Sequence, residues 1–198
     1  MEIKVTAGRK INADSHHWCT PPKYVEAIRQ FLGEIALDPC SNQYSTVQAG
    51  VEYALPEKDG LNESWNFSTI YVNPPYGIDK ARGTSIQNWI RKCAEANSEF
   101  GSEVVALIPV AVNTRHWKRY IFPEATAVCF LADTRLKFVN GENDKGAPMA
   151  CAMVYWGKDF NKFFEMFSNF GAVVDFKSLQ SSNWISPDLK PSQETIFQ

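Results

Sequence analysis

The sequence predicts an α/β fold in which a sheet is covered by helices on both faces. Apolar runs of strand length, such as residues 103–112 and 149–156, alternate along the chain with amphipathic segments of helical period. The runs are almost continuously apolar, which is typical of strands that are buried on both faces. We expect one domain over residues 18–176, with an N-terminal arm at 1–17 and a C-terminal tail at 177–198.

Composition and charge limit the classes of function. A hydrophobic content of 44% and a charged content of 21% are typical of a globular protein. With 20 basic against 22 acidic residues, the net charge of −2 requires any nucleic-acid contact to use a local basic patch. Five cysteines without a CxxC pair, and only three histidines, predict a reduced cytoplasmic protein without a metal site. We expect no membrane span and no signal peptide.

The first helix is expected at residues 21–32, where apolar side chains recur with helical spacing. Thr20 is its predicted N-cap, and Gly33 its predicted stop. A short buried strand is expected next at 35–39, with an aspartate, Asp38, at its polar end.

The later elements follow the same alternation of strand and helix. Helices are expected at 84–99, 115–122 and 161–171, and strands at 68–73, 103–112, 127–139, 149–156 and 171–176. A flexible loop is expected at 141–148.

The strand at 68–73 ends in an unusual corner, Y-V-N-P-P-Y-G at 71–77. Two consecutive prolines fix two φ angles and remove two N–H donors, so a central strand cannot continue through them. Because ligands of α/β sheets bind at the carboxyl ends of the strands, Asn73 in this corner and Asp38 should share one functional edge.

The corner has the chemistry to bind an amine attached to an aromatic ring. The side-chain oxygen of Asn73 and the carbonyl of Pro74 can accept both N–H bonds, which frees the nitrogen lone pair for attack. Pro75 restricts Pro74 to an extended conformation that aims this carbonyl. Tyr76 offers a flat surface on which an extruded base can stack. The corner therefore predicts methyl transfer to an exocyclic amine.

Several motifs of the chain occur in a recognisable order. They are W-x-T-P at 18–21, L-D-P-C-S at 37–41, D-G-L at 59–61 with Trp65 behind it, N-P-P-Y at 73–76, LIPVAVNTRHW at 107–117 and T-R-L-x-F at 134–138. In motif order and content the sequence resembles the phage- and prophage-encoded DNA N6-adenine methyltransferases of the Dam type.

The resemblance implies a Rossmann-like class I methyltransferase with a mixed seven-stranded sheet and an antiparallel last hairpin. It implies S-adenosylmethionine as methyl donor, S-adenosylhomocysteine as product, double-stranded DNA as substrate and no metal. The donor-binding residues that it implies are Trp18, Thr20, Pro21, Asp38, Pro39, Cys40, Asp59, Gly60, Leu61 and Asn73. Phe138 would stack on the flipped adenine opposite Tyr76.

The donor loop departs from the common pattern of donor-binding methyltransferases. No glycine follows Asp38 until Gly50, so the usual glycine-rich loop is missing. The sequence does not place the acidic residue that usually holds the donor ribose, and Glu52 and Glu57 are the candidates.

Two basic stretches follow predicted strand ends on the functional edge. Lys80 and Arg82 lie in the first, and Arg115 and Arg135 in the second; we expect these four to contact DNA phosphates. Loop tips at 77–85 and 139–147 are expected to read bases. Arg91 and Lys92 are interpreted as a solvated helix face, and no feature of the sequence indicates an oligomeric state.

Three alternatives remain at the level of sequence. RNA adenine methylation uses identical chemistry and differs only in the contacts to the nucleic acid. Methyltransferases of protein glutamine share the N-P-P-Y corner but carry a glycine-rich donor loop and an N-terminal helical domain. A non-catalytic DNA-binding module of the same fold is the third alternative, and the missing glycine loop favours it.

Overall fold

The computed structural model of the chain describes residues 18–133, 136–140, 143–147 and 149–179. Its strands are β1 (Leu37–Asp38), β2 (Val51–Glu52), β3 (Thr69–Val72), β4 (Ile78–Asp79), β5 (Thr84–Ser85), β6 (Glu103–Pro109), β7 (Ala127–Leu131), β8 (Lys137–Asn140), β9 (Asn143–Gly146), β10 (Cys151–Trp156) and β11 (Gly171–Asp175). Its helices are α1 (Pro22–Leu32), α2 (Ile86–Phe100), α3 (Phe160–Phe167) and α4 (Phe176–Leu179), with a π-helical segment at Trp117–Ile121.

The described residues form a central seven-stranded sheet in the order β2-β1-β3-β6-β10-β7-β11. Parallel pairing joins β1 to both β2 and β3, and β3 to β6. Antiparallel pairing joins β10 to β6 and to β7, and β11 to β7. The carboxyl ends of β1, β2, β3 and β6 therefore meet at one edge of the sheet, which we call the carboxyl edge.

Helices cover both faces of this mixed sheet, as the sequence predicts. On one face Tyr71, Val105 and Leu107 pack in a buried cluster with apolar residues of α1 and α3. On the other face, Ile70 and Val72 pack in a second cluster with α2 and the π-helical segment. This alternation of neighbouring residues between two cores explains why the strands are apolar at nearly every position.

The first helix is confirmed, but its predicted N-cap is wrong. The helix starts at Pro22 with Pro21 as N-cap, and it has no side-chain cap hydrogen bond. The hydroxyl of Thr20 bonds instead to the hydroxyl of Tyr71 at 2.5 Å, inside the protein. Gly33 ends the helix at φ 86°, a conformation that glycine adopts without the steric cost of a Cβ.

The predicted strand at 127–139 is two strands. β7 ends at Leu131, and Lys137–Asn140 forms the separate strand β8, which pairs with β9 in a hairpin. The loop expected at 141–148 is therefore wrong over Asn143–Gly146. β8 also pairs with the segment that precedes α1. Cys19 and Val139 form an antiparallel bridge with N···O distances of 2.7 and 3.0 Å.

The remaining differences concern short elements and the ends of elements, and the strand β2 was not predicted. The 77–85 stretch contains the short ribbon of β4 and β5. The expected helix at 115–122 is present as the π-helical segment Trp117–Ile121. At the end of the predicted domain, Phe176–Leu179 forms a helical turn that extends into the first residues of the predicted tail. The arm at 1–17 and the tail from 180 onwards lie outside the described residues.

Candidate active site

Asp38 and Asn73 lie next to each other at the carboxyl edge, as the sequence predicts. Leu37 of β1 pairs in register with Ile70 of β3, so the two strand ends come together. Cys40 lies between them, with its thiol near the backbone of Asn73. The backbone N–H of Cys40 in turn donates to the Asp38 carboxylate at 3.0 Å.

The side-chain amide of Asn73 has one fixed orientation. Its Nδ2 donates to the backbone carbonyl of Trp18 at 3.2 Å. A carbonyl oxygen can only accept, so the atom facing it must be the NH₂ group. Within the described part of the chain, Oδ1 of Asn73 has no hydrogen-bond partner and is free to accept one from a bound molecule.

The segment 18–21 is held from two sides. Cys19 pairs with Val139 of the hairpin, and Thr20 bonds to Tyr71 of the sheet. Because Thr20 is only 1% exposed, its hydroxyl serves this internal contact. That Trp18, Thr20 and Pro21 contact the methyl donor stays a prediction.

The ring of Tyr76 contacts the ring of Phe138 edge to face. The centroids lie 5.7 Å apart, with an interplanar angle of 74°. The Tyr76 hydroxyl is directed inward, where it donates to the backbone carbonyl of Leu107 at 3.2 Å. Phe138 is 7% exposed, so a base entering between the two rings requires them to separate.

Burial controls the electrostatics of the site. Asp38 is 4% exposed, and desolvation together with the nearby Glu52 raises its pKa to about 7 against an ordinary value of 3.8. Burial and the Asp38 carboxylate also raise the pKa of the Cys40 thiol well above its usual value. The site therefore contains a carboxylate whose ionisation is costly and a thiol that stays protonated.

Residues 59–63 form a single turn that packs on the loop after β1. A Cβ on Gly60 would overlap the carbonyl oxygen of Pro39, so only glycine allows this approach. The Asp59 carboxylate accepts from the backbone N–H of Leu61 at 3.0 Å and is paired with the guanidinium of Arg82. A predicted donor-binding residue, Asp59, is thus joined to a predicted DNA-binding residue.

Glu52 stands at the carboxyl end of β2, in register with Asp38. Its carboxylate accepts from Ser41 Oγ at 2.8 Å, from Ser45 Oγ at 3.3 Å and from the backbone N–H of Ala49 at 3.1 Å. These bonds close the loop between β1 and β2 where other methyltransferases carry a glycine-rich turn.

Lys92 is a site residue that the sequence interpretation missed. Its placement on a solvated face is wrong, since the ammonium donates to the carbonyls of Gly60, Leu61 and Glu63 at 3.3, 3.1 and 2.5 Å. It also lies over the ring of Trp65, 5.1 Å from the centroid. Arg91 is exposed, as expected, and pairs with Glu95 at 3.7 Å. The available signal was the spacing of Lys92 three residues after the buried Trp89, on the same helix face.

The four basic residues expected at DNA differ in their surroundings. Lys80 and Arg115 are exposed. Arg82 is half-buried between the carboxylates of Asp59 and Asp79. Arg135 lies outside the described residues.

The described residues lack two features. No group of three or more His, Cys, Asp or Glu side chains there is arranged to hold a metal ion. No helix there combines the length and apolarity needed to cross a membrane.

The mixed seven-stranded sheet with this corner at its carboxyl edge is consistent with a methyltransferase-like fold. A family model described as DNA N-6-adenine-methyltransferase (Dam) matches residues 8–181, which is most of the chain. The chain belongs to this family, which confirms the predicted Dam type; a phage or prophage origin stays a prediction. The family name gives the reaction class, N6 methylation of adenine in DNA. A comparison with curated proteins found no match.

Proposed function

We propose that this protein transfers a methyl group from S-adenosylmethionine to the N6 amine of an adenine flipped out of duplex DNA. The observation that carries the proposal is the Asn73 amide. Its nitrogen is held by the Trp18 carbonyl at 3.2 Å, so its oxygen is fixed as an acceptor at the carboxyl edge. The fixed acceptor fits a target that presents N–H bonds, as an exocyclic amine does.

The residues of the corner act by geometry and hydrogen bonding. Asn73 Oδ1 and the Pro74 carbonyl accept the two N–H bonds of the amine and leave its lone pair available. Tyr76 supplies a surface for the base. The ring of Phe138 has to move away from Tyr76 before the base can stack there. No strong base is required before attack, because the amine loses its proton after the new bond has formed.

The donor site consists of the strand ends beside this corner. S-adenosylmethionine supplies a methyl group on a positively charged sulfur. Asp38, Pro39 and Cys40 would form the floor of the site, and the exposed Glu52 at the end of β2 fits the ribose hydroxyls better than Glu57 in the turn that follows. The close approach of the 59–63 turn to Pro39, which Gly60 permits, supports a compact donor site.

Duplex DNA would lie over the carboxyl edge. Lys80 of the β4–β5 ribbon and Arg115 beyond β6 are exposed there and are suited to phosphate contacts. Arg82 and Arg135 complete the proposed set, with Arg82 held by two carboxylates in the free protein.

Methyl transfer from labelled donor tests the proposal. Duplex DNA, single-stranded DNA, RNA and a cell-extract protein fraction are incubated with the wild type and with Asn73→Ala. Nucleosides are analysed by mass spectrometry, and the label on protein is counted. We expect N6-methyladenine from duplex DNA with the wild type and none with the variant. Label confined to RNA would assign an RNA substrate, and label on protein alone a glutamine substrate. Donor binding without transfer to any of these would identify a non-catalytic module.

A further inference from the structure

We propose that Lys92 is a positioning residue of the donor site, which sets the place of the 59–63 turn relative to the strand ends. This inference rests on the proposed function, because the turn carries Asp59, Gly60 and Leu61 of the proposed donor contacts. Lys92 itself lies behind the turn, on α2, and is assigned no contact with the donor.

The turn has carbonyls that its own backbone cannot satisfy. Asn62 and Glu63 donate to the carbonyl of Asp59 at 2.8 and 3.2 Å, which makes residues 59–63 one helical turn without a continuation. The carbonyls at the end of such a turn lack partners within it. The ammonium of Lys92 has three donors, and it bonds to three of these carbonyls.

Lys92 is itself held by rigid elements. It lies in the second turn of the 15-residue helix α2, and its chain crosses the ring of Trp65. Trp65 packs on Trp89 of the same helix with centroids 6.2 Å apart, and its indole N–H donates to the Gly60 carbonyl at 2.8 Å. These contacts fix the position of the 59–63 turn relative to α2.

A second cation, the guanidinium of Arg82, binds the opposite end of the turn. The Asp59 carboxylate accepts from Leu61 and from Asn62 and is paired with Arg82 of the β4–β5 ribbon. Because Gly60 abuts Pro39, a displacement of the turn also moves Asp59 and Leu61 relative to residues 38–40. Lys92 therefore acts on donor affinity through the backbone that it holds.

The test compares Lys92→Met, which keeps the apolar chain over Trp65 and removes the donors, with Arg91→Met at the exposed neighbouring position. Binding of S-adenosylhomocysteine is measured by calorimetry, and methylation of DNA by steady-state kinetics. We expect Lys92→Met to weaken binding about tenfold or more, since hydrogen bonds from a charged group are lost. The KM for donor should rise similarly, while kcat at saturating donor and the KM for DNA stay within about threefold. Arg91→Met should match the wild type.

Hydrogen exchange separates positioning from general loss of stability. We expect faster amide exchange in residues 59–64 of Lys92→Met and unchanged exchange in the sheet. If this variant does not fold, Lys92→Arg is used, whose planar guanidinium cannot serve three convergent carbonyls. Wild-type donor affinity in the folded variant overturns the inference and leaves the proposed function intact. Failure of the wild type to bind donor or product overturns both.

Discussion

The side chain of Asn73 is anchored to the backbone of Trp18, a residue 55 positions earlier in the chain. The bond runs from the amide nitrogen to a carbonyl oxygen over 3.2 Å. Trp18 in turn precedes Cys19, which pairs with Val139 of the β8–β9 hairpin. The proposed catalytic amide thus depends on segments from three distant parts of the sequence.

Asn73→Asp keeps the side-chain oxygen that accepts from the amine but removes the amide nitrogen that binds the Trp18 carbonyl. A carboxylate keeps the oxygen that accepts from the amine, but it cannot donate to the Trp18 carbonyl and is repelled by it. We expect kcat to fall by about 10- to 100-fold in Asn73→Asp and by at least about 1,000-fold in Asn73→Ala. Single-turnover methylation with saturating donor measures both. Equal kcat in Asn73→Asp and the wild type would remove the anchor from the mechanism.

The raised pKa of Asp38 predicts a pH dependence of stability. The folded state favours the protonated carboxyl, so its stabilising contribution is complete below about pH 4 and is lost as the pH rises through about 7. The free energy of unfolding should therefore fall by roughly a few kcal/mol as this carboxyl ionises, since a difference of one in pKa corresponds to about 1.4 kcal/mol. Urea denaturation from pH 4 to 8 measures this change, which Asp38→Asn should largely abolish. An unchanged pH profile in Asp38→Asn would assign the effect to other groups.

Gly60→Ala should force the 59–63 turn away from Pro39. The added methyl group overlaps the Pro39 carbonyl, and overpacking of this kind costs about 1–3 kcal/mol. We expect a lower melting temperature and weaker binding of S-adenosylhomocysteine. Gly50→Ala is the matched control, because its Cβ would lie 3.4 Å from the carbonyl oxygen of Ala36, an ordinary contact. Equal losses in both variants would contradict the prediction.

Arg115→Ala should weaken the binding of DNAs of different sequence to a similar extent. Loss of one phosphate contact is expected to reduce the slope of log affinity against log salt concentration by about 0.9. Fluorescence anisotropy over a salt series measures the slope. Lys158→Ala serves as control, since this exposed lysine follows β10 at the edge of the sheet opposite the carboxyl edge. A full slope in Arg115→Ala would place DNA elsewhere on the protein.

Sequence patterns predicted the parts of the fold that depend on how apolar and polar residues alternate along the chain. The alternation of apolar strands and amphipathic helices was sufficient for a sheet with two covered faces. The polar ends of its parallel strands were sufficient to bring Asp38 and Asn73 to one edge. Both inferences follow from general properties of parallel strands and need no knowledge of particular contacts.

The contacts between distant segments could not be read from local patterns. Thr20 has the sequence context of an N-cap, and only the packing of α1 on β3 reveals its partner, Tyr71. Lys92 has the context of a solvated face, and its carbonyl partners belong to a turn about 30 residues earlier. The hairpin was missed because β8 pairs with β9 and Cys19 outside the main sheet.

The contact between Tyr76 and Phe138 has a consequence for selectivity. The free protein already covers this aromatic surface with one of its own side chains. A base that stacks on Tyr76 replaces one ring contact by another, so most of the stacking energy is exchanged rather than gained. Every base has a flat face and could make that exchange. The proposed directional acceptors at Asn73 and Pro74 would then favour bases that carry an exocyclic amine, because thymine would leave both acceptors unsatisfied.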